Sequence, residues 1–242
     1  MSILKLIVKT KNKKYPILIG ENILKKINSF FKSYVPNCKK IALIVDNNVP
    51  SKITNNIRKS LKNYQILLIK IHVSEKKKSF KTIESLLNKI LKNNFNRNDC
   101  VIALGGGILG DISGLTASLL KRGIRFINIP TTLLAQVDSS IGGKTAVNLN
   151  LGKNLIGTFH QPDLVIADTL TLKSLPKREM ICGYAEILKH ALILDKKFFN
   201  WLNKKGKEII NLSNKTSIKK AIFLSCKIKS KIVQKDEKEK NL

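Results

Sequence analysis

Three consecutive glycines, Gly105, Gly106 and Gly107, follow a short apolar run at residues 101–104. The residues after them carry apolar side chains at helical spacing, so the pattern predicts a strand, a glycine loop and a helix. The N-terminus of a helix presents backbone N–H groups that bind phosphate, and glycines let a phosphate approach the backbone. The full GxGxxG fingerprint is absent, so a tight turn that needs positive φ remains an alternative.

A polar tract over residues 138–154 is well supplied with groups that hold anions. It contains Asp138, the sequence GGKT ending at Thr145, and the sequence GKN ending at Asn154. GGKT resembles the end of a phosphate-binding P-loop, but the leading glycine at the required spacing is missing, so we exclude that motif. The lysines beside these glycines could still bind a phosphate as point charges.

Glu186, Lys189 and His190 follow one another at spacings i, i+3 and i+4. Such spacing places all three side chains on one face of a helix. Three titratable groups beside an apolar stripe are consistent with metal or proton chemistry, and a solvated charged face is the alternative.

The elements that must position these groups alternate along the chain. Short apolar runs predict strands at 3–8, 15–19, 40–45, 65–73, 101–104, 126–129 and 164–167, and amphipathic segments predict helices at 21–32, 50–61 and 79–93. This alternation predicts an α/β fold with a mostly parallel sheet, in which ligands bind at the carboxyl ends of strands. Asp46, Glu75, the three glycines, Thr131 and Asp168 fall at such ends, whereas Asp99 and Glu84 are expected on the surface.

The pattern changes after Pro176. Two long helices, 183–202 and 216–235, are predicted with no strand between them. We therefore expect an α/β domain over residues 1–175, followed by the beginning of an all-helical domain over residues 176–242.

Composition excludes several classes of protein. The net charge of +29 suggests nucleic acid binding, but only five of the 45 basic residues are arginine, so we do not expect a nucleic-acid partner. No apolar run is long enough to span a membrane, and the first residues do not resemble a signal peptide. The four cysteines are far apart and form no CxxC pair, so a reduced, cytoplasmic protein is predicted.

Four segments, taken together, resemble 3-dehydroquinate synthase. They are GGGILGD, KRGIRFINIPTTLLAQVDSSIGGKTAVN, LGKNLIGTFHQP and GYAEILKH, in this order and spacing. The resemblance implies a Rossmann-like NAD-binding domain followed by a helical metal-binding domain, and a homodimer. It also implies conversion of a small anionic sugar phosphate, 3-deoxy-arabino-heptulosonate 7-phosphate, into 3-dehydroquinate and phosphate for chorismate and aromatic amino acid biosynthesis. In this family NAD transiently oxidises the substrate, phosphate is eliminated, hydride returns, and an intramolecular aldol step closes the ring.

The resemblance also implies which residues bind each ligand. The residues that match NAD contacts are Asp46, Asn48, Glu75, Lys78, Gly106, Gly107, Ile108, Leu109, Gly110, Asp111, Thr131, Thr132, Lys144, Lys153, Thr171, Leu172, Lys173 and Ser174. Those that match the substrate pocket are Asp138, Lys144, Asn154, Lys189 and Lys229, with Arg122 reaching the substrate phosphate across the dimer interface. Glu186 matches the carboxylate ligand of a catalytic Zn²⁺ or Co²⁺, and His190 is given no metal role.

The sequence departs from this family in its metal ligands. A catalytic zinc has three protein ligands, but the only histidines are His72, His160 and His190, and none lies in a segment like the family's NFGH motif. We therefore expect a chain truncated before that segment, which retains affinity for NAD but does not catalyse the reaction alone. The alternatives are a sister sugar-phosphate cyclase and a non-catalytic gene remnant.

Overall fold

The computed structural model describes residues 3–11 and 13–238, and these residues form a sheet flanked by helices. Its strands are β1 (Leu4–Lys9), β2 (Lys14–Gly20), β3 (Lys40–Asp46), β4 (Gln65–Ile71), β5 (Cys100–Gly105), β6 (Arg125–Pro130) and β9 (Leu164–Asp168), and a separate hairpin pairs β7 (Lys144–Leu149) with β8 (Gly152–Phe159). The helices are α1 (Ile27–Tyr34), α2 (Ser51–Ser60), α3 (Phe80–Leu91), α4 (Gly107–Leu119), α5 (Lys177–Leu194), α6 (Lys196–Ile210) and α7 (Lys215–Lys235).

The seven-stranded sheet has the order β1-β2-β9-β6-β5-β3-β4. All neighbouring strands in it are parallel except β1, which pairs antiparallel with β2. The predicted α/β class and mostly parallel sheet are therefore confirmed. Because the parallel strands end at one edge, the segments after β3, β4, β5, β6 and β9 come together there.

Buried side chains fill both faces of the sheet. One core cluster lies between the sheet and helices α1 and α2, and another lies under α3 and α4. A third cluster packs α5, α6 and α7 against side chains of β1, β2 and β9. The C-terminal helices therefore share a core with one end of the sheet.

One expectation about secondary structure was wrong, and one element was not foreseen. The helix predicted over 183–202 is two helices, because Asp195 adopts extended backbone and its carboxylate caps α6 by accepting from the N–H of Phe198 at 2.9 Å. The polar tract over 138–154 contains β7 and the start of β8, and the period-two apolar pattern of this hairpin is too weak to reveal it in the sequence.

Two aspartates have structural roles that the sequence did not indicate. Asp99, expected on the surface, is fully buried and accepts hydrogen bonds from the backbone N–H groups of Lys40 at 2.9 Å and Asn96 at 2.8 Å. Asp168 lies at a strand end but is buried, and it accepts from the N–H groups of Asn22 at 2.7 Å and Leu24 at 3.0 Å. Both carboxylates therefore hold loops, and Asp168 is not available to a ligand.

Within residues 3–11 and 13–238, none of the helices has the length and apolar character needed to cross a membrane.

Candidate active site

The glycine loop lies at the carboxyl end of β5, where it begins α4. Gly106 is the residue before the helix, and Gly107 is its first residue. A Cβ atom on Gly107 would lie 2.9 Å from Ser139 Oγ, so a side chain there would push against the segment that follows β6. The loop therefore brings the N-terminus of α4 close to that segment, and its backbone N–H groups can face an anion.

A cavity of about 780 Å³, which we call the glycine-loop cavity, lies on one side of this loop. Of the residues predicted to bind NAD, it is lined by Asp46, Asn48, Glu75, Gly106, Gly107, Ile108, Thr131, Thr132, Thr171 and Ser174. These residues follow β3, β4, β5, β6 and β9, so the parallel sheet itself gathers them. Glu179, at the start of α5, also lines this cavity, and no sequence signal identified it.

The remaining residues predicted to bind NAD lie elsewhere. Leu109, Gly110 and Leu172 are buried in the core, so only their backbone could reach a ligand. Lys153 and Lys173 are exposed, and Lys153 Nζ lies 3.9 Å from a carboxylate oxygen of Glu75.

Lys78 is almost fully buried and forms an ion pair with Asp111, with Nζ 2.5 Å from Oδ2. Burial raises the pKa of the Asp111 carboxyl, and the hydrogen bond and charge of Lys78 oppose that shift. Lys78 is therefore the ionic partner of Asp111, which lies in the second turn of α4.

A second cavity of about 540 Å³, the hairpin cavity, is lined by Asp111 of α4, three residues after Ile108 of the first cavity. Asp111, Asp138, Lys144, Asn154 and Lys229 all line it. They come from α4, from the π-helical turn Ala135–Ser139, from the β7–β8 hairpin and from α7. The structure thus brings together four of the six predicted substrate residues, and both signs of charge meet in one cavity.

A tight turn positions the hairpin at this cavity. Gly143 has a φ of +66°, and a Cβ atom there would lie 2.8 Å from the backbone nitrogen of Gln161. Only glycine fits this turn without strain. Gly143, the second glycine of GGKT, therefore sets the direction of the chain before β7. This direction places Lys144 at the cavity.

Beside the hairpin cavity, a cluster of three side chains could hold a metal ion. Asp138, Glu186 and His190 each offer one ligand atom, and these atoms lie within 4.8 Å of one another. His190 Nε2 is 3.1 Å from Glu186 Oε1, and its Nδ1 is 2.6 Å from Ser225 Oγ. Burial lowers the pKa of His190, which favours the neutral ring that a metal requires.

The sequence placed Glu186 and His190 on one helical face but did not link them to Asp138, which is 48 residues earlier. Only the fold of α5 against the π-helical turn brings them together. Ser225, on α7, had no signal as a partner of His190.

Lysines already neutralise both carboxylates of this cluster. Lys189 Nζ lies 2.5 Å from Glu186 Oε1, and Lys229 Nζ lies 2.8 Å from Asp138 Oδ1. Lys189 does not line either cavity and instead borders the cluster. A divalent cation would therefore compete with two ammonium groups for the same oxygens.

Arg122 lies apart from the other predicted residues. It is exposed, with a φ of +66°, in the short turn after α4, and it lines neither cavity. Within one chain it is therefore not a contact of either site.

Two family models and a curated relative match the sequence of this chain. The family model described as 3-dehydroquinate synthase N-terminal matches residues 68–182, and the model described as 3-dehydroquinate synthase C-terminal matches residues 183–242. A 3-dehydroquinate synthase from Pelagibacter ubique is 53% identical over 239 residues, which are 99% of this chain and 65% of that relative.

Two solved structures share the fold. A 2-deoxy-scyllo-inosose synthase complexed with carbaglucose-6-phosphate, NAD⁺ and Co²⁺ has a TM-score of 0.87 at 28% identity, over 98% of this chain and 66% of that one. A 2-epi-5-epi-valiolone synthase from Streptomyces hygroscopicus with NAD⁺ and Zn²⁺ bound has a TM-score of 0.86 at 26% identity, over the same shares.

A parallel sheet with a glycine loop at the carboxyl end of a central strand defines an α/β protein of the nucleotide-binding type. Within that class, the matches over residues 68–242 show that the chain belongs to the 3-dehydroquinate synthase family. The chain spans 65% of the length of its Pelagibacter relative.

Proposed function

We propose that the protein acts as a 3-dehydroquinate synthase, a phosphate-eliminating lyase that uses NAD and a divalent metal. The observation that carries the proposal is the pair of cavities that α4 helps to line, one through Gly107 and Ile108 and the other through Asp111. One is lined by strand ends and glycines, and the other by lysines, an asparagine and aspartates. A dinucleotide and a small phosphorylated acid would meet at the N-terminal part of α4.

The glycine-loop cavity would hold NAD. Asp46 and Asn48 would face the adenosine half, and the N-terminus of α4 would bind the pyrophosphate. Thr131 and Thr132, at the end of β6, would bind nearer the nicotinamide half. NAD, when bound, accepts a hydride from a secondary alcohol and returns it later.

The hairpin cavity would hold 3-deoxy-arabino-heptulosonate 7-phosphate. Lys144 and Lys229 supply positive charge for its phosphate and carboxylate, and Asn154 adds a neutral polar group. Asp111, the ion-pair partner of Lys78, forms the part of the wall that α4 contributes. These groups orient the substrate, so that its reacting carbon lies toward the NAD side.

Asp138, Glu186 and His190 would hold Zn²⁺ or Co²⁺, because two carboxylates and an imidazole suit either ion. A metal here would polarise the alcohol oxygen and lower its pKa. This proposal gives His190 a role as a metal ligand, which the resemblance did not. Because Lys189 and Lys229 compete for the same carboxylates, we still expect weak metal binding and little turnover by residues 1–242 alone.

A homodimer would give Arg122 a function. Strand β8 exposes the apolar side chains of Leu155 and Phe159, and Thr158 Oγ1 donates to Ser118 Oγ at 2.9 Å near the end of α4. Arg122 therefore lies at the same end of α4 as an apolar surface suited to self-association. From there it would reach the phosphate in the partner's cavity.

We further propose that residues 1–175 form the NAD-binding domain and residues 176–242 part of the helical domain, in a cytoplasmic protein. The four free cysteines among the described residues are consistent with a reduced compartment.

A sister sugar-phosphate cyclase is the second candidate. The likeness to 2-deoxy-scyllo-inosose synthase and 2-epi-5-epi-valiolone synthase favours it, since those structures bind NAD⁺ and a metal on the same fold. The two candidates differ only in the phosphorylated sugar that is consumed.

Phosphate release tests the proposal. The chain is assayed with NAD, Zn²⁺ and the heptulosonate phosphate, alone and mixed with the C-terminal part of the Pelagibacter relative that it does not match. We expect release in the mixture only, and its loss in Glu186→Gln. If the mixture binds NAD and Zn²⁺ but releases phosphate only from another sugar phosphate, the sister cyclase is favoured. Release from no sugar phosphate would contradict both candidates.

A further inference from the structure

A chain of hydrogen bonds connects the two cavities through the hairpin. Glu75 lines the glycine-loop cavity, and Asn154 lines the hairpin cavity. Asn148, on β7, lies between them and lines neither cavity. Its side-chain Nδ2 donates to Glu75 Oε2 at 2.8 Å, and its Oδ1 accepts from the backbone N–H of Asn154 at 3.0 Å. One amide group therefore contacts a residue of each cavity.

The backbone of Asn148 adds a third contact. Its N–H donates to the carbonyl oxygen of Lys78 at 2.8 Å, which ties β7 to the loop that carries Glu75. The same Lys78 donates from Nζ to the side-chain oxygen of Asn154 and pairs with Asp111. The hairpin, the loop and Asp111 of α4 are thus joined in one network.

The network fixes how Asn154 faces its cavity. Asn154 has a φ of +58°, a left-handed conformation that asparagine tolerates better than most residues. Because a lysine ammonium can only donate, Oδ1 of Asn154 must face Lys78, and the NH₂ group must point the other way. Asn154 is thereby set to donate to an anionic oxygen in the hairpin cavity.

We infer that Asn148 is a positioning residue that couples the two cavities. A nucleotide that orders Glu75 would also order Asn148, and through it the backbone of Asn154. The coupling must be reciprocal, since each ligand would change the affinity of the other by the same factor. This inference rests on the proposed function, because it takes NAD and the heptulosonate phosphate as the two ligands.

Asparagine is specifically required at this position. Its amide supplies a donor to a carboxylate and an acceptor to an N–H group at once. Alanine loses both bonds. Aspartate keeps the acceptor for Asn154 but places a second negative charge beside Glu75. Glu75→Gln would relieve the resulting repulsion, because the glutamine amide can donate to the new carboxylate.

Calorimetric titration of metal-free protein tests the inference, with NAD and the heptulosonate phosphate each measured in the absence and presence of the other. In the unmodified protein we expect each ligand to raise the affinity for the other about tenfold. Asn148→Ala should abolish this factor. Asn148→Asp should lower the affinity for NAD about tenfold. Combining Asn148→Asp with Glu75→Gln should recover much of the lost affinity. Asn150→Ala, an exposed residue in the turn of the same hairpin, is the matched control and should change nothing.

The outcomes separate this inference from the proposed function. If the unmodified protein binds both ligands, and Asn148→Ala leaves the coupling factor intact, Asn148 has no positioning role while the proposed function stands. If Asn148→Ala fails to fold, the coupling factor in the aspartate variant and its double variant decides: it should fall in Asn148→Asp and return with Glu75→Gln, and an unchanged factor in folded Asn148→Asp would contradict the inference. Binding of neither ligand to folded protein would overturn both.

Discussion

The two cavities beside α4 are built in different ways. The glycine-loop cavity is lined by residues that directly follow consecutive strands of one parallel sheet. The hairpin cavity is lined by charged side chains from four separate elements, between Asp111 and Lys229 in the sequence. The first is therefore a consequence of the sheet topology, whereas the second depends on long-range packing. We therefore expect substitutions at the hairpin cavity and its metal cluster to have larger effects than substitutions at the glycine-loop cavity.

The largest effect is expected at the metal cluster beside the hairpin cavity. Glu186→Gln removes one of two carboxylates, so Zn²⁺ affinity should fall by about 100-fold or more. Titration with Zn²⁺ against a competing chelator measures this. Glu84→Gln, an exposed residue of α3, should leave the affinity unchanged. Equal affinities in all three proteins would show that the cluster does not bind the metal.

The next effect concerns Lys78, which joins the two cavities. Lys78→Met leaves the Asp111 carboxylate without its ion pair, and it should lower the free energy of unfolding by about 2 kcal/mol at pH 7. This value is below that for a fully buried pair because the Asp111 side chain is 19% exposed. Chemical denaturation measures the change, with Lys77→Met, at an exposed position, as the control.

The pH dependence of this variant has a definite sign. The pKa of Asp111 in the folded protein is already raised by burial, and loss of Lys78 raises it further. A group with a raised folded pKa contributes stability that is lost as pH rises through that pKa. The deficit of Lys78→Met should therefore shrink as pH falls from 7 toward 4. A deficit that stays constant over this range would show that the lost free energy is not that of Asp111.

The smallest effect within one chain is expected at Arg122. Because Arg122 is exposed and lines neither cavity, Arg122→Ala should change the free energies of NAD binding and of unfolding by no more than about 0.5 kcal/mol. If it acts on a partner's cavity, binding of the heptulosonate phosphate should weaken about tenfold in the dimer. Mixing Arg122→Ala with Lys229→Met chains should then restore some tight sites. No restoration would argue against a contact across the dimer interface.

The difference between the cavities also decides what the sequence could predict. Apolar periodicity and turn residues predict the strand ends, the glycine loop and the threonines after β6. The parallel sheet and much of the glycine-loop cavity could therefore be predicted from the sequence. The burial of Asp99 and Asp168 could not be foreseen, because each carboxylate is held by N–H groups of distant loops. The proximity of Asp138 to His190 likewise depends on how α5 packs.

Resemblance and periodicity also had different limits. The family motifs named Lys144, Asn154 and Lys229 together, whereas spacing alone gave no reason to join them. Neither indicated Asn148, since its role depends on a hairpin whose strands have little apolar alternation. The break at Asp195 was missed because the apolar stripe continues across it, while the capping carboxylate ends one helix and begins another.

The most direct test of the two-cavity account is titration of NAD into the folded, metal-free protein and two variants. We predict saturable NAD binding to the unmodified chain, an affinity about tenfold lower in Asp46→Ala, and an unchanged affinity in Lys229→Met. The two variants differ because Asp46 lines the glycine-loop cavity and Lys229 does not. The absence of saturable binding, or equal weakening by both substitutions, would contradict the account.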